Sequence, residues 1–161
     1  PAMLLGQAVG EVFYPTITRA ITANSSEAYQ FLLKVTLILL VVGIVPFGTV
    51  FVFGDYLFSL VFGAEWALAG SYSQWLSIWL LTSLVSGAST AALPALRLQR
   101  FLLIREVFAV VFRAAALYVG FYVFESDMIA IALFSFVGVL LSLSIIYVAF
   151  RRLVPIDEVK Q

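Results

Sequence analysis

Residues 35–53 read VTLILLVVGIVPFGTVFVF, a run in which no side chain carries a charge. A helix needs about 20 apolar residues to cross the hydrocarbon core of a bilayer, so this stretch predicts a membrane span. Four further stretches resemble it, at residues 1–18, 67–96, 106–124 and 128–150. We therefore expect an all-α protein, a polytopic transmembrane helix bundle with about five spans.

The composition favours the same class of protein. The 161 residues are 63% hydrophobic and 11% charged, and the mean hydropathy is +1.10, whereas soluble domains are roughly 45–50% apolar and about 25% charged. The net charge is zero, which argues against a nucleic-acid partner, because such proteins carry an excess of Lys and Arg. Cys and His are absent, so we predict no disulfide, no metal site and no cofactor.

Charged residues lie almost only in the breaks between apolar runs, and their sign alternates from one break to the next. Cytoplasmic loops of membrane proteins are enriched in Lys and Arg. We therefore predict that the basic breaks and the C-terminus face the cytoplasm. The basic breaks contain Arg19 and Lys34 around Glu27, then Arg97, Arg100 and Arg105, then Arg151, Arg152 and Lys160. The acidic breaks contain Asp55 and Glu65, then Glu125 and Asp127.

Arg113 is the most informative candidate for a functional site. It lies about two helical turns inside the fourth predicted span, where an Arg costs on the order of 2.5–3.5 kcal/mol on insertion scales. One interpretation is that Arg113 lines a hydrated cavity and binds an anionic group such as a phosphate, which a guanidinium can hold in a bidentate way. The other is that its long side chain reaches the cytoplasmic headgroups. The sequence leaves both open.

Three further polar residues fall inside predicted spans. Glu11 could pair with Arg113 or Arg105, bind a coupling cation or proton, or lie near the outer interface. Gln7, one helical turn away, could share its face. Gln74 lies in the third span and, like Gln7, is more typical of a hydrogen bond between helices than of a ligand contact.

Small residues at four-residue spacing predict close contacts between helices, as at Ser83, Gly87 and Ala91, and at Gly138 and Ser142. Asn24, Ser25 and Ser26 before Glu27 predict a helix start. The residues form no nucleophile with its base, metal-ligand cluster or glycine-rich phosphate loop. The sequence therefore predicts a protein that is not an enzyme.

Two stretches resemble a known family. FGAEWALAGSYSQWL, residues 62–76, and GEVFYPTITRA, residues 10–20, resemble the polysaccharide flippases, for O-antigen or capsule repeat units, of the multidrug, oligosaccharidyl-lipid and polysaccharide exporter superfamily. In that family an FG-x-x-W step commonly joins two late spans. Pro1 begins inside an apolar stretch without an initiator Met, so we interpret residues 1–161 as the C-terminal transmembrane lobe of a longer, two-lobe transporter.

The resemblance implies a function and a set of partners. Such a transporter moves an undecaprenyl-pyrophosphate-linked oligosaccharide across the cytoplasmic membrane by alternating access, for polysaccharide and lipopolysaccharide biosynthesis. Its partners would be that lipid-linked oligosaccharide, membrane lipids, the N-terminal lobe and the glycosyltransferase or polymerase machinery. Arg113 would suit the pyrophosphate.

Two other functions remain open from the sequence. A cation-coupled multidrug or small-molecule antiporter of the same superfamily would have the same fold, but would depend on a buried acid such as Glu11. A subunit of a membrane polysaccharide polymerase would require a long outer loop with polar catalytic residues, and the outer breaks are short.

Overall fold

The computed structural model describes residues 18–19 and 25–153, and within them the chain is all-α. Helix α1 covers Ser25–Phe62, and a short 3-10 helix, Ala64–Trp66, follows it. Helix α2 covers Ala67–Ala92, helix α3 covers Gln99–Tyr122 and helix α4 covers Asp127–Leu153. Ser25, the first described residue of α1, is already helical, and Asn24 lies outside the described residues, so the helix start predicted at residues 24–27 stays a prediction.

The prediction of five spans is wrong. Among the described residues, three segments are long and apolar enough to cross a membrane: Ser26–Phe62, Ala64–Ala92 and Asp127–Leu153. The first predicted span, residues 1–18, lies almost entirely outside the described residues. The fourth, residues 106–124, belongs to α3, whose 24 residues include Arg100, Arg105, Glu106 and Arg113. These charges make α3 less apolar than an independent span. The three spans indicate a multi-pass membrane protein.

Helix α1 is much longer than the predicted span at residues 35–53. Its 38 residues include Pro46, which does not end the helix, and the backbone leaves helical geometry only at Phe53, with φ −122° and ψ 19°. Beyond this break the Asp55 carboxylate accepts the backbone N–H of the next residue, Tyr56, at 2.8 Å. The apolar residues 56–62 form a helical extension after the break.

The helices pack side by side in the spatial order α1, α2, α4, α3. Helix α1 packs mainly against α2, helix α2 against α4, and helix α3 against α4, with a small contact between α1 and α4. No Cα of α2 lies within 8 Å of a Cα of α3. Consecutive helices α2 and α3 are therefore separated, and α4 lies between them. The largest buried cluster joins α1, α2 and α4 at one end, with Leu32, Leu93, Ile145 and Leu153 among its members.

Glycines set the closest contacts between helices. A Cβ atom on Gly54 of α1 would lie 2.7 Å from the carbonyl oxygen of Gly70 on α2. A Cβ on Gly120 of α3 would lie 2.6 Å from the backbone nitrogen of Ala130 on α4. In membranes small residues of this kind let helix backbones approach closely, where hydrophobic burial gives little drive for association.

The two predicted small-residue stripes have different outcomes. Gly138 and Ser142 of α4 are buried as expected. Ser83 and Gly87 of α2 are exposed, and a Cβ on Gly87 would meet nothing within 4 Å. Of this stripe, Ala91 does pack against the buried cluster. Helix α2 buries another set of small and polar residues: Gly70, Ser77, Val85, Ser86, Ala88, Ser89 and Ala92.

Basic and acidic residues collect at opposite ends of the helices. At the acidic end, Tyr72 donates a hydrogen bond to Asp127 at 3.4 Å. At the basic end, Leu98 beside Arg97 shares a groove with Arg151 and Arg152. The structure therefore confirms that basic and acidic residues lie at opposite ends of the helices. The cytoplasmic location of the basic end stays a prediction.

The surface between these two ends is apolar. Exposed side chains include Val41, Val45, Val110 and Leu143, each between 49% and 68% exposed. Soluble monomers rarely expose contiguous apolar patches of more than a few hundred Å². A lipid environment around the helices accounts for this surface.

Replacement of Gly120 by Ala tests the close contact between α3 and α4. We expect Gly120→Ala to destabilise the protein by about 1–3 kcal/mol, because the new methyl group overlaps the backbone of Ala130. The measurement is reversible unfolding by dodecyl sulfate in detergent micelles. Gly87→Ala is the matched control, since its methyl group enters open space, and it should be neutral or slightly stabilising. Equal loss in both variants would contradict the packing described.

Single cysteines test the orientation of the two ends, because the chain has none of its own. Gln99→Cys places a thiol at the basic end and Glu65→Cys places one at the acidic end, both at exposed positions. We expect a membrane-impermeant maleimide to label Glu65→Cys in intact cells, and Gln99→Cys only after permeabilisation. The reverse pattern would show that the basic end faces outward.

Candidate functional site

Arg113 occupies the face of α3 that packs against α4. The same face carries Arg105, Ala109, Ala116 and Gly120, which recur every three or four residues along the helix. Ala109 and Ala116 are buried, at 1% and 9% exposure. Arg113 therefore lies between helices and not on the outer surface of α3.

The guanidinium of Arg113 crosses the space between α3 and α2. Its Cζ lies 4.7 Å from the centre of the Trp79 ring and 5.5 Å from the centre of the Phe134 ring. The two rings meet edge to face, with centroids 5.2 Å apart. Trp79 is near the middle of α2, so the cation lies deep within the helix bundle. Cation–π contacts of this kind contribute about 0.5–2 kcal/mol, more when the cation is desolvated.

Gly138 makes room for the Trp79 ring. A Cβ at Gly138 would lie 2.6 Å from Nε1 of Trp79 and 2.7 Å from Cγ. Because Gly138 has no side chain, the Trp79 indole packs directly against the backbone of α4. The guanidinium of Arg113 lies against that indole. We call Arg113, Trp79, Phe134 and Gly138 the arginine site.

Polar N–H groups in and near the arginine site lack hydrogen-bond partners. Nε of Arg113, Nε1 of Trp79 and Nε of Arg105 are all buried with no partner in the described part of the chain. A buried donor without an acceptor costs about 1–3 kcal/mol. All three are donors, so an anion or a polar ligand with acceptor oxygens would satisfy them.

Arg105 adds a second cation on the same helix face. Eight residues separate it from Arg113, which corresponds to a rise of about 12 Å. Arg105 forms an ion pair with Glu106, and the Arg105 side chain is 12% exposed while that of Glu106 is 59% exposed. The two arginines place positive charge along α3 from the basic end toward the middle of the bundle.

The other predicted site residues do not join the arginine site. Gln74 faces α1 at the acidic end, where its Nε2 donates to Asp55 Oδ1 at 3.5 Å. This contact is the bond between helices that its residue type predicts. Glu11 and Gln7 lie outside the described residues, so their relation to Arg113 stays a prediction.

Trp79 and Phe134 were not predicted as neighbours of Arg113. A single sequence gives no pairing between α2, α3 and α4, and the aromatic residues are spread along every helix. One signal was available, since a glycine in an apolar helix commonly receives a bulky side chain from its neighbour. Gly138 was read only as a site of close backbone approach.

The fold and the site together define a multi-pass, all-α membrane protein with a half-buried arginine between its helices. No protein-family model, curated protein or solved structure matches the chain. The family resemblance of residues 62–76 and 10–20 therefore stays a prediction.

A double-mutant cycle tests the contact between Arg113 and Trp79. We expect Arg113→Gln and Trp79→Leu to show a coupling free energy of about 0.5–2 kcal/mol, because each removes one half of the cation–π pair. The measurement is unfolding free energy in detergent for the wild type, both single variants and the double variant. Arg113→Gln with Trp75→Leu is the matched control pair and should couple by less than about 0.5 kcal/mol. Additive effects in both pairs would rule out the contact.

Proposed function

We propose that the protein is part of a flippase that moves an undecaprenyl-pyrophosphate-linked oligosaccharide across the cytoplasmic membrane. Arg113 binds the pyrophosphate in this proposal, and the described helices contribute to the C-terminal lobe of a two-lobe transporter. The protein carries out no chemical reaction of its own. The resemblance of residues 62–76 to the polysaccharide flippases suggested this function.

One observation carries the proposal, the unpartnered guanidinium of Arg113 deep in the bundle. Two aromatic rings hold the cation, and Nε has no acceptor among the described residues. A charge at this depth without an anion is costly. A pyrophosphate oxygen would accept the free N–H groups and form the charge-assisted bonds that a guanidinium makes well.

The separation of α2 from α3 supports the same proposal. Their backbones do not approach within 8 Å, so the arginine site is bridged by side chains alone. Side chains can rearrange more easily than packed backbones, and a ligand headgroup could enter between the two helices. Arg105 would meet the anion first from the basic end, and Arg113 would meet it next.

The role of each partner follows from this arrangement. The anionic headgroup would contact α3, while the polyprenyl chain would stay in the bilayer beside the apolar helix faces. The N-terminal lobe would close the other side of the cavity, and glycosyltransferases and a polymerase would supply and consume the lipid-linked sugar. The cytoplasmic membrane of a bacterium is the expected location.

Binding of undecaprenyl pyrophosphate tests the proposal without knowledge of the sugar. We expect Arg113→Gln to weaken binding to the purified protein by about tenfold or more, the effect of losing a charge-assisted contact. Arg113→Lys should recover only part of the affinity, because an ammonium group cannot bind in a bidentate way. The measurement is a thermal-shift or fluorescence titration in detergent, with undecaprenol as the uncharged reference ligand.

Arg100→Gln is the control variant, since it removes one positive charge at the exposed basic end of the same helix. Its affinity should change by less than about threefold, because screening weakens exposed charges. Equal loss for Arg100 and Arg113 would indicate a general charge effect and contradict the site. In cells, loss of sugar-unit export with Arg113→Ala but not with Glu11→Gln would favour the flippase over the antiporter.

A further inference from the structure

Two apolar grooves flank the last turns of α4 at the basic end of the bundle. The first groove lies on the α3 side and encloses about 600 Å³; it is lined by Leu98, Phe101, Tyr147, Val148, Arg151 and Arg152. The second groove lies on the α1 side and encloses about 500 Å³; its lining includes Tyr29, Leu33, Thr36, Tyr147, Phe150 and Arg151. Neither groove includes a residue of the arginine site.

Tyr147 and Arg151 form a ridge between the two grooves. They are four residues apart on α4, and Cζ of Arg151 lies 5.9 Å from the centre of the Tyr147 ring. Both residues line both grooves. The Arg151 guanidinium thus borders both apolar grooves.

The charge around the first groove is positive. Arg151 and Arg152 are consecutive residues that both line it, and neither forms an ion pair within the described part of the chain. Helix α3 begins beside the same groove, and no side chain caps its N-terminus, so the positive end of its dipole also lies there. The nearby acid Glu106 is already paired with Arg105.

We propose that this ridge binds one anionic phospholipid with two acyl chains. The phosphate contacts Arg151 and Arg152, and one chain lies in each groove on either side of Tyr147. A two-chain lipid has this division of charge and apolar surface, with a single anionic group above two hydrocarbon chains. The proposal requires only that the chain is a membrane protein, and it is independent of the flippase function.

A phospholipid fits this surface better than a soluble phosphate compound. The grooves are lined mainly by apolar side chains, which offer a small soluble anion few contacts. Basic pockets between membrane helices are established binding sites for anionic lipid headgroups. The arginines at the end of a spanning helix lie where such headgroups are found.

Native mass spectrometry of the purified protein tests the proposal. The probes are dioleoyl phosphatidylglycerol and dioleoyl phosphatidylcholine, which share acyl chains and differ in net charge. We expect one phosphatidylglycerol to remain bound with about tenfold preference over phosphatidylcholine, as charge-assisted contacts to a phosphate would give. Arg151→Gln with Arg152→Gln should remove that preference. Arg97→Gln with Arg100→Gln removes the same charge from the same end and should keep it.

A second pair of variants tests the grooves without a change in charge. Val148→Trp fills the first groove and Leu33→Trp fills the second, and each should weaken phosphatidylglycerol binding by about threefold or more, since one chain loses its apolar contacts. Three results would overturn the proposal: no preference for phosphatidylglycerol, an equal loss in the Arg97 and Arg100 control, or unchanged binding in both groove variants. Displacement of the lipid by an equal concentration of glycerol phosphate would also overturn it, because the acyl chains would then contribute nothing.

Discussion

Packing of helices with apolar surfaces on nearly every side is the constraint on which this structure depends. Where lipid surrounds a helix, burial of a leucine against another helix gives little free energy. The leucine only exchanges contacts with lipid chains for contacts with equally apolar side chains. Specific contacts must therefore come from shape and from polar groups. Gly54 against Gly70, Gly120 against Ala130 and Gly138 against Trp79 supply the shape, and each fixes one of the three main helix pairs.

The sequence predicts which segments form helices better than it predicts which side of each helix packs against its neighbours. Long apolar runs and charged breaks locate α1, α2 and α4 well, since bilayer thickness relates length to span. The contact face of α2 was predicted only in part, because its small residues occur on several sides and its outer surface is apolar too. Gly87 and Gly70 look alike in the sequence, yet only Gly70 meets another backbone.

The count of spans failed for a related reason. The apolar part of α3 is interrupted by Arg113, and Arg105 and Glu106 lie in its second turn. A sequence cannot show that α4 and Trp79 surround this charge. The ionisable residue itself was recognisable, whereas the aromatic rings that hold it required the three-dimensional arrangement. Helix α3 depends on α4, because within the described residues α4 is the helix whose backbone packs against it.

The break at Phe53 gives α1 a further property. A helix of 38 residues measures about 57 Å, nearly twice the hydrocarbon thickness of about 30 Å. The 28 residues before Phe53 measure about 42 Å and already exceed the hydrocarbon core. The rest of α1 therefore reaches the headgroup layer, where exposed Tyr56 and the nearby Trp66 find a favourable environment. A bend such as the one at Phe53 is one way in which a helix longer than the bilayer core is accommodated. Gly54 of α1, next to this break, packs against the backbone of Gly70 on α2. A change in bilayer thickness that altered the bend would therefore also shift α2.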